Sequence, residues 1–229
     1  MRRTTFVRQA ANLWAVKAQL RQQLLGQISF DPQVSILDSF PMPVCRFTPG
    51  RPLPTAGWAG RLWPRRGAKQ TFYGVRAHLR VCWPGVIAEG HLAPANLHDL
   101  ALADDLLADA HGWCWVTGPP GSRPEPNCWP TTAGGCWRGH ARPGGRGAPA
   151  RRLTQARRRI ETVIGQLVER YHAKRVWARD AWHLWSRWQR KLLSHTLAVY
   201  LCQQTGLGSL RFADLLTIWN PHTRLATCP

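Results

Sequence analysis

Acidic side chains are scarce in this sequence, so the few at structural boundaries stand out. Of 229 residues, 12 are Asp or Glu and 31 are Lys or Arg, a formal charge of +19. Only four of the 31 are Lys. Such a balance points to a polyanionic partner, most simply nucleic acid. The excess is steepest in residues 151–191, where twelve Lys or Arg face three acids. Arg157, Arg158, Arg159, Lys174, Arg175 and Arg179 in this stretch are candidates for phosphate contacts. Asp38 closes the short apolar run Val34-Ser35-Ile36-Leu37, and Glu161 stands just after the Arg triplet. Taken alone, the first could simply end a strand and the second could be a solvated acid in exposed pairs. His91, His98 and Asp99 are metal-ligating types, but a capped helix start at Asn96 explains Asp99 better. Seven Cys show no CxxC pair and no regular spacing. They read as thiols in a reducing cytoplasm, not as a disulfide framework or a zinc site.

Elements that could position these groups follow from periodicity. Residues 1–30 read as helical, with Phe6, Leu13, Leu20, Leu24 and Leu25 at helical spacing until Asp31-Pro32. Residues 34–38 read as a strand. Residues 72–83 alternate, with Val75, Ala77, Leu79 and Val81 on one face. Pro84-Gly85 supplies a turn, and the following GVIAEGHLA returns antiparallel. A helix is expected from Asn96 to Ala110. Residues 154–172 carry one apolar stripe of Ile160, Val163, Ile164, Leu167 and Tyr171. A further helix covers about 180–204, where Trp182, Trp185 and Trp188 read as core rather than as a base-stacking platform. The apolar fraction is 44%, and no apolar run reaches membrane-spanning length. The basic N-terminus lacks a signal-peptide apolar stretch.

Residues 111–150 break the pattern. They hold nine Gly, seven Pro, four Trp and three Cys, with Val116 the sole residue among Ile, Leu, Val, Met and Phe. Helices and strands of a packed domain are not built from such material. The genetic code offers an explanation. Codons for Trp113-Cys114-Trp115-Val116-Thr117 are TGG TGY TGG GTN ACN. One G inserted after the first codon gives TGG GTG YTG GGT NAC. That forces Val, Leu and Gly after Trp, followed by Asp, Asn, His or Tyr. A patternless stretch becomes an apolar strand that can end in a carboxylate. The sequence therefore points to a lost base near Trp113 and a compensating change near Arg151. Residues 48–68 have a similar composition and form a second, weaker candidate for an out-of-frame patch.

The runs ILDSFPMPVC (36–45), QTFYGVRAHLRVCWPGVI (70–87) and LAPANLHDLALADDLL (92–107) resemble the catalytic core of bacterial insertion-sequence transposases. Those are DDE enzymes with an RNase H-like fold. RRRIETVIGQLVERYHAKRVWARD (157–180) and LLSHTLAVYLCQ (192–203) are similar to the C-terminal part of the same proteins, in the same order. The repaired Trp-Val-Leu-Gly-Asp resembles their second catalytic strand. The resemblance implies an α/β fold with an RNase H-like mixed sheet and flanking helices. It also implies metal-dependent phosphoryl transfer for DNA strand cleavage and joining, with Mg²⁺ or Mn²⁺ held by three carboxylates.

On that resemblance Asp38 is the first catalytic, metal-binding Asp and Glu161 the Glu, with Arg157 completing Arg-x-x-x-Glu. The second Asp is absent, with Thr117 marking its place. Asp104, Asp105 and Asp109 fall on an expected helix and are poor substitutes. Thr154 and Val168 stand where the family often has Tyr and Lys. The expected organisation is a helical remnant (1–30), the first part of the core (31–110), an irregular out-of-frame segment (111–150) and a helical part carrying Glu161 (151–229). The implied partners are transposon-end and target DNA and a second copy in a homodimer, with no membrane. The implied location is the bacterial cytoplasm, at the nucleoid. The reading expects a copy that is truncated, internally shifted and inactive. The alternative is a non-catalytic basic nucleic-acid-binding protein, or a remnant that interferes with intact transposase.

Overall fold

The computed structural model describes residues 3–46, 61–65, 70–97, 102–116, 130–131, 134–135, 150–176, 178 and 180–218. Two helices open the chain, α1 (Arg3–Asn12) and α2 (Trp14–Leu25). β1 (Asp31–Arg46) follows, then β2 (Arg61–Arg65), β3 (Gln70–Trp83) and β4 (Val86–Pro94). The short α3 (Ala103–Leu107) leads to β5 (Trp113–Val116). Two-residue strands β6 (Pro130–Thr131) and β7 (Gly134–Gly135) pair with each other, apart from the main sheet. The chain then runs through α4 (Ala150–Glu169), α5 (Ala181–Gln204) and α6 (Phe212–Ile218).

The result is a mixed α/β arrangement around one sheet. β3 lies antiparallel to β1, β2 and β4, while β5 runs parallel to β1 on its other side. The alternation in 72–83 has its physical basis here: Val75, Ala77, Leu79 and Val81 are all buried on one face. They join Ile36, Phe40 and Met42 of β1 and Ile87 and Leu92 of β4. The apolar stripe of α4 (Ala156, Ile160, Val163 and Leu167) covers this face together with Leu184, Trp188 and Leu192 of α5. The opposite face buries Leu37 against Ala103, Leu106, Leu107 and Ala110.

Local features fix how these layers meet. The β3–β4 turn contains a cis Trp83–Pro84 bond, and Gly85 has φ +129° with Leu210 packed against it. Where β3 pairs with β4, the register slips between Arg80 and Val81, leaving Ala88 as the extra residue. Such a bulge frees ladder groups, and the buried Arg21 of α2 donates to the carbonyls of Ile87 (3.2 Å) and Ala88. α5 begins with Asp180, whose carboxylate accepts from the His183 N–H at 2.8 Å. The α4–α5 connection passes through His172 at φ +51°. Lys191 holds it by donating to the carbonyls of Tyr171 and His172 (3.0 Å), and Arg187 donates to that of Val176. Burial lowers the Lys191 ammonium to about 8.

Several expectations change. β1 runs well past Asp38, through Pro41 and Pro43. β5 pairs only with Val34–Leu37, so among the described residues the prolines face no second ladder that needs their missing N–H. The helix expected from Asn96 is described only at Ala103–Leu107, after an uncapped Leu102, and Asn96 lies in a turn. β2 lies inside the 48–68 patch and β5 inside the 111–150 segment, so neither is wholly irregular. The Trp stripe divides. Trp188 is fully buried, Trp185 packs at the core margin, and Trp182 is 47% exposed.

Trp188→Ala should lower unfolding free energy by about 3–5 kcal/mol, and Trp182→Ala by no more than about 1, measured by urea denaturation. His195 gives a second expected outcome. Its ring is fully buried, donates to Gln166 Oε1 (3.2 Å) and is lowered by burial and by Arg21 to about 3. In the unfolded chain it takes a proton near its ordinary 6.5. Its contribution is therefore complete above pH 6.5 and shrinks as pH falls toward 3. The urea midpoint should drop between pH 6.5 and 4, and His195→Gln should flatten that part of the profile.

Candidate functional site

Asp38 occupies a central position of the sheet. It pairs with Leu79 on β3, and alternation sends its half-buried side chain to the face of Ile36 and Phe40, the face that α4 covers. Its Oδ1 accepts the Ser39 N–H at 2.8 Å. It is not at a strand end, as the sequence had implied, but it is the first residue of β1 beyond the β5 ladder. Leu37, the residue before it, pairs with Val116. Thr117 lies outside the described residues.

β5 reaches this place because of the residue that precedes it. Gly112 has φ +84°, and a Cβ there would lie 2.4–2.5 Å from Gln33 Oε1 and the Gln33 carbonyl oxygen. Only glycine lets the chain pass so close to the start of β1 and enter in parallel register.

Glu161 projects from the exposed side of α4, next to the buried Ile160. Its Oε1 is 3.2 Å from Arg157 Nε, and the two side chains are 59% and 62% exposed. An exposed i,i+4 pair of this kind contributes little to stability. α4 thus covers the sheet face to which Asp38 points, but with its apolar stripe, and Glu161 stays on the solvent side. Among the described residues, no group of three or more His, Cys, Asp or Glu could hold a metal ion. Asp38 and Glu161 alone do not make up a two-ion centre. Asp104 and Asp105 belong to α3, which packs on the Leu37 face, opposite that of Asp38. The layering therefore rules them out as substitutes. His91 Nε2 is 3.8 Å from Glu89, while His98 and Asp99 lie outside the described residues.

The basic residues divide by environment. Arg157 and Arg158 are exposed on α4, and Lys174 and Arg175 are exposed in the turn that follows. Arg159 is half-buried, its guanidinium 4.9 Å from the Trp83 ring centre. Arg179 lies outside the described residues. Arg187 and Lys191 turn inward to backbone carbonyls, so the sequence overcounted the charge offered to solvent on α5. Composition carries no signal for that difference; the i,i+4 spacing of the two residues beside a helix connection is the one hint available. Trp182 is held at the α1–α5 seam although it is partly exposed. Its Nε1 donates to Asn12 (3.0 Å), and it meets Trp14 edge-on at 5.9 Å.

The chain matches no protein-family model, no curated protein and no solved structure. What can be said of function comes from the chain's own residues. No helix among those described is long and apolar enough to cross a membrane.

Proposed function

We propose that this chain descends from a DDE-type transposase with an RNase H-like core and lacks one of the three catalytic carboxylates. The supporting observation is the parallel pairing of β5 with β1. Val116 is the partner of Leu37, and Asp38 follows Leu37. In the restored reading frame, the codon after the one replacing Val116 is the one that can encode Asp. Neighbouring strands lie about 4.8 Å apart. Carboxylates that follow paired residues on such strands would be near enough to hold a divalent ion between them. The codons and the strand pairing are independent supports, since the pairing belongs to the chain as it stands. α4 adds weight in so far as its buried stripe covers the Asp38 face, while Glu161 itself is on the solvent side of that helix.

In the ancestral reaction, Asp38, the restored Asp and Glu161 would hold Mg²⁺ or Mn²⁺, which would supply the charge stabilisation for phosphoryl transfer on DNA. Without the second Asp, two cations would repel each other with too few anionic ligands between them. The chain as it stands is then a catalytically dead copy that holds DNA, pairs as a homodimer and resides at the bacterial nucleoid. A second reading is favoured by the exposed Arg158, Lys174 and Arg175: a non-catalytic nucleic-acid binder, or a remnant that competes with intact transposase for DNA.

Binding should be dominated by phosphate contacts with little sequence preference. If about six phosphates are neutralised, log K against log salt should have a slope near −5, and a double Arg157→Gln/Arg158→Gln variant should reduce its magnitude by about 2. A flat dependence would exclude this mode. The catalytic reading is tested by nicking of a transposon-end duplex with Mg²⁺ or Mn²⁺. The present chain should be inactive, and Asp38→Asn should cost it nothing further. The frame-restored chain should nick, and Asp38→Asn should then abolish nicking. Metal-dependent nicking by the present chain, lost in Asp38→Asn, would overturn the proposal. So would a stop codon early in the shifted frame of the gene.

A further inference from the structure

Helix α2 has apolar side chains on two opposite sides. Its inner side meets the rest of the molecule: Trp14 lies against Trp182, and Leu25 is buried among Val86, Val199 and Cys202. Its outer side carries Val16 and Leu20, with Leu13 just before the helix, spaced i, i+3 and i+7. Phe6 and Val7 add exposed apolar surface on α1. These five side chains are between 41% and 63% exposed. They are five of the eight large apolar side chains exposed among the described residues, so this surface is concentrated in one stretch and not scattered. A helix that is apolar on both sides is ordinarily covered on both.

Charge decides what can cover it. α2 has two charged residues, and both are used on the inner side. Lys17 Nζ donates to the Ala10 carbonyl (2.6 Å) and to Ser186 Oγ (2.9 Å), and the buried Arg21 donates to β4 carbonyls. The exposed neighbours of the stripe on α2 are Ala15, Gln19, Gln22 and Gln23, all uncharged. An anionic lipid surface or an acidic peptide calls for cations beside the apolar stripe, and α2 turns none outward. A second copy of a chain with a formal charge of +19 has the opposite requirement, a contact face free of charge.

We propose that the outer face of α2, with Phe6 and Val7 of α1, is the seam along which two copies of this chain pair about a two-fold axis. The face is self-complementary, because apolar side chains meet their own kind and glutamine amides both donate and accept. An antiparallel crossing, with Leu13 of one copy beside Leu20 of the other, keeps the two exposed Arg8 side chains apart. α1 and α2 together span about 30 Å. A seam of that length buries roughly 1,000 Å² in total, the low end for a specific interface. This assigns a face to the homodimer proposed above and rests on that part of the reading, not on the catalytic part.

The test is sedimentation equilibrium of the nuclease-treated full chain over about 1–100 µM, where a monomer–dimer equilibrium with Kd on the order of 10 µM is expected. Raising NaCl from about 0.1 to about 0.5 M should lower Kd about threefold, because salt screens repulsion between the copies and the seam has no ion pairs to lose. A pair bridged by DNA responds in the opposite sense and is lost on nuclease treatment, so failure of the seam is distinguishable from failure of the DNA-binding reading. Leu20→Glu should raise Kd at least about tenfold, while Leu216→Glu, at the exposed leucine of α6, should leave it unchanged. Leu13→Glu and Leu20→Lys should each weaken pairing alone, and their equimolar mixture should restore it. If Leu20→Glu does not fold, Val16→Gln takes its place with the same expected direction. The proposal is overturned if the chain stays monomeric across the series, if the seam variant pairs as well as the parent, or if Leu216→Glu weakens pairing equally. A monomeric chain that binds phosphatidylserine vesicles through Leu20 would assign the face to a membrane surface and overturn it as well.

Discussion

The helical layer rests on one close approach, that of α5 to Gly90 of β4. Trp188 is fully buried, and its indole N–H reaches the Gly90 carbonyl at 3.1 Å. A Cβ on Gly90 would lie 3.0 Å from Leu192 and 3.2 Å from Leu79. The missing side chain is what lets the helix settle onto the strand, and the hydrogen bond satisfies a donor that could not otherwise be buried. From that contact α5 extends its other surfaces to α1, α2 and α6. α2 in turn delivers Arg21 to the bulge in β4. Loosening α5 would release the N-terminal helices and the sheet edge together.

How legible this was in the sequence varied with the range of the interaction. The α4 stripe, the alternation in β3 and the Pro84-Gly85 turn are local patterns, and the structure has them where periodicity put them. The length of β1 was not legible. Pro41 and Pro43 argue against a strand locally, and only the pairing geometry on either side of β1 admits them. β5 was hidden for a related reason. Its strand character comes from Gly112 and from backbone pairing with β1, neither of which depends on an apolar pattern. For the candidate site, the resemblance singled out Asp38 and Glu161, but which face each occupies, and that α3 lies on the opposite side, required the layering.

Arginine is the most abundant charged residue here, and composition treats every copy alike. The fold does not. Arg21 serves a bulge, Arg187 ties down a connection, Arg159 lies over an indole, and Arg158 and Arg175 face water. A net charge of +19 is therefore not a count of the side chains free to meet a phosphate partner. Part of it is structural material, its hydrogen-bonding groups turned to carbonyl oxygens or aromatic faces inside the protein.

The two prolines of β1 have a further meaning for the life of this chain in a crowded cell. Beyond Leu37, the outer edge of β1 carries no ladder among the described residues. A bare strand edge is a template on which copies of a protein stack into insoluble ribbons. Pro41 and Pro43 interrupt that template, because neither has a hydrogen to give to an incoming strand. β1 thus carries its own guard along the part of its edge that no described strand covers.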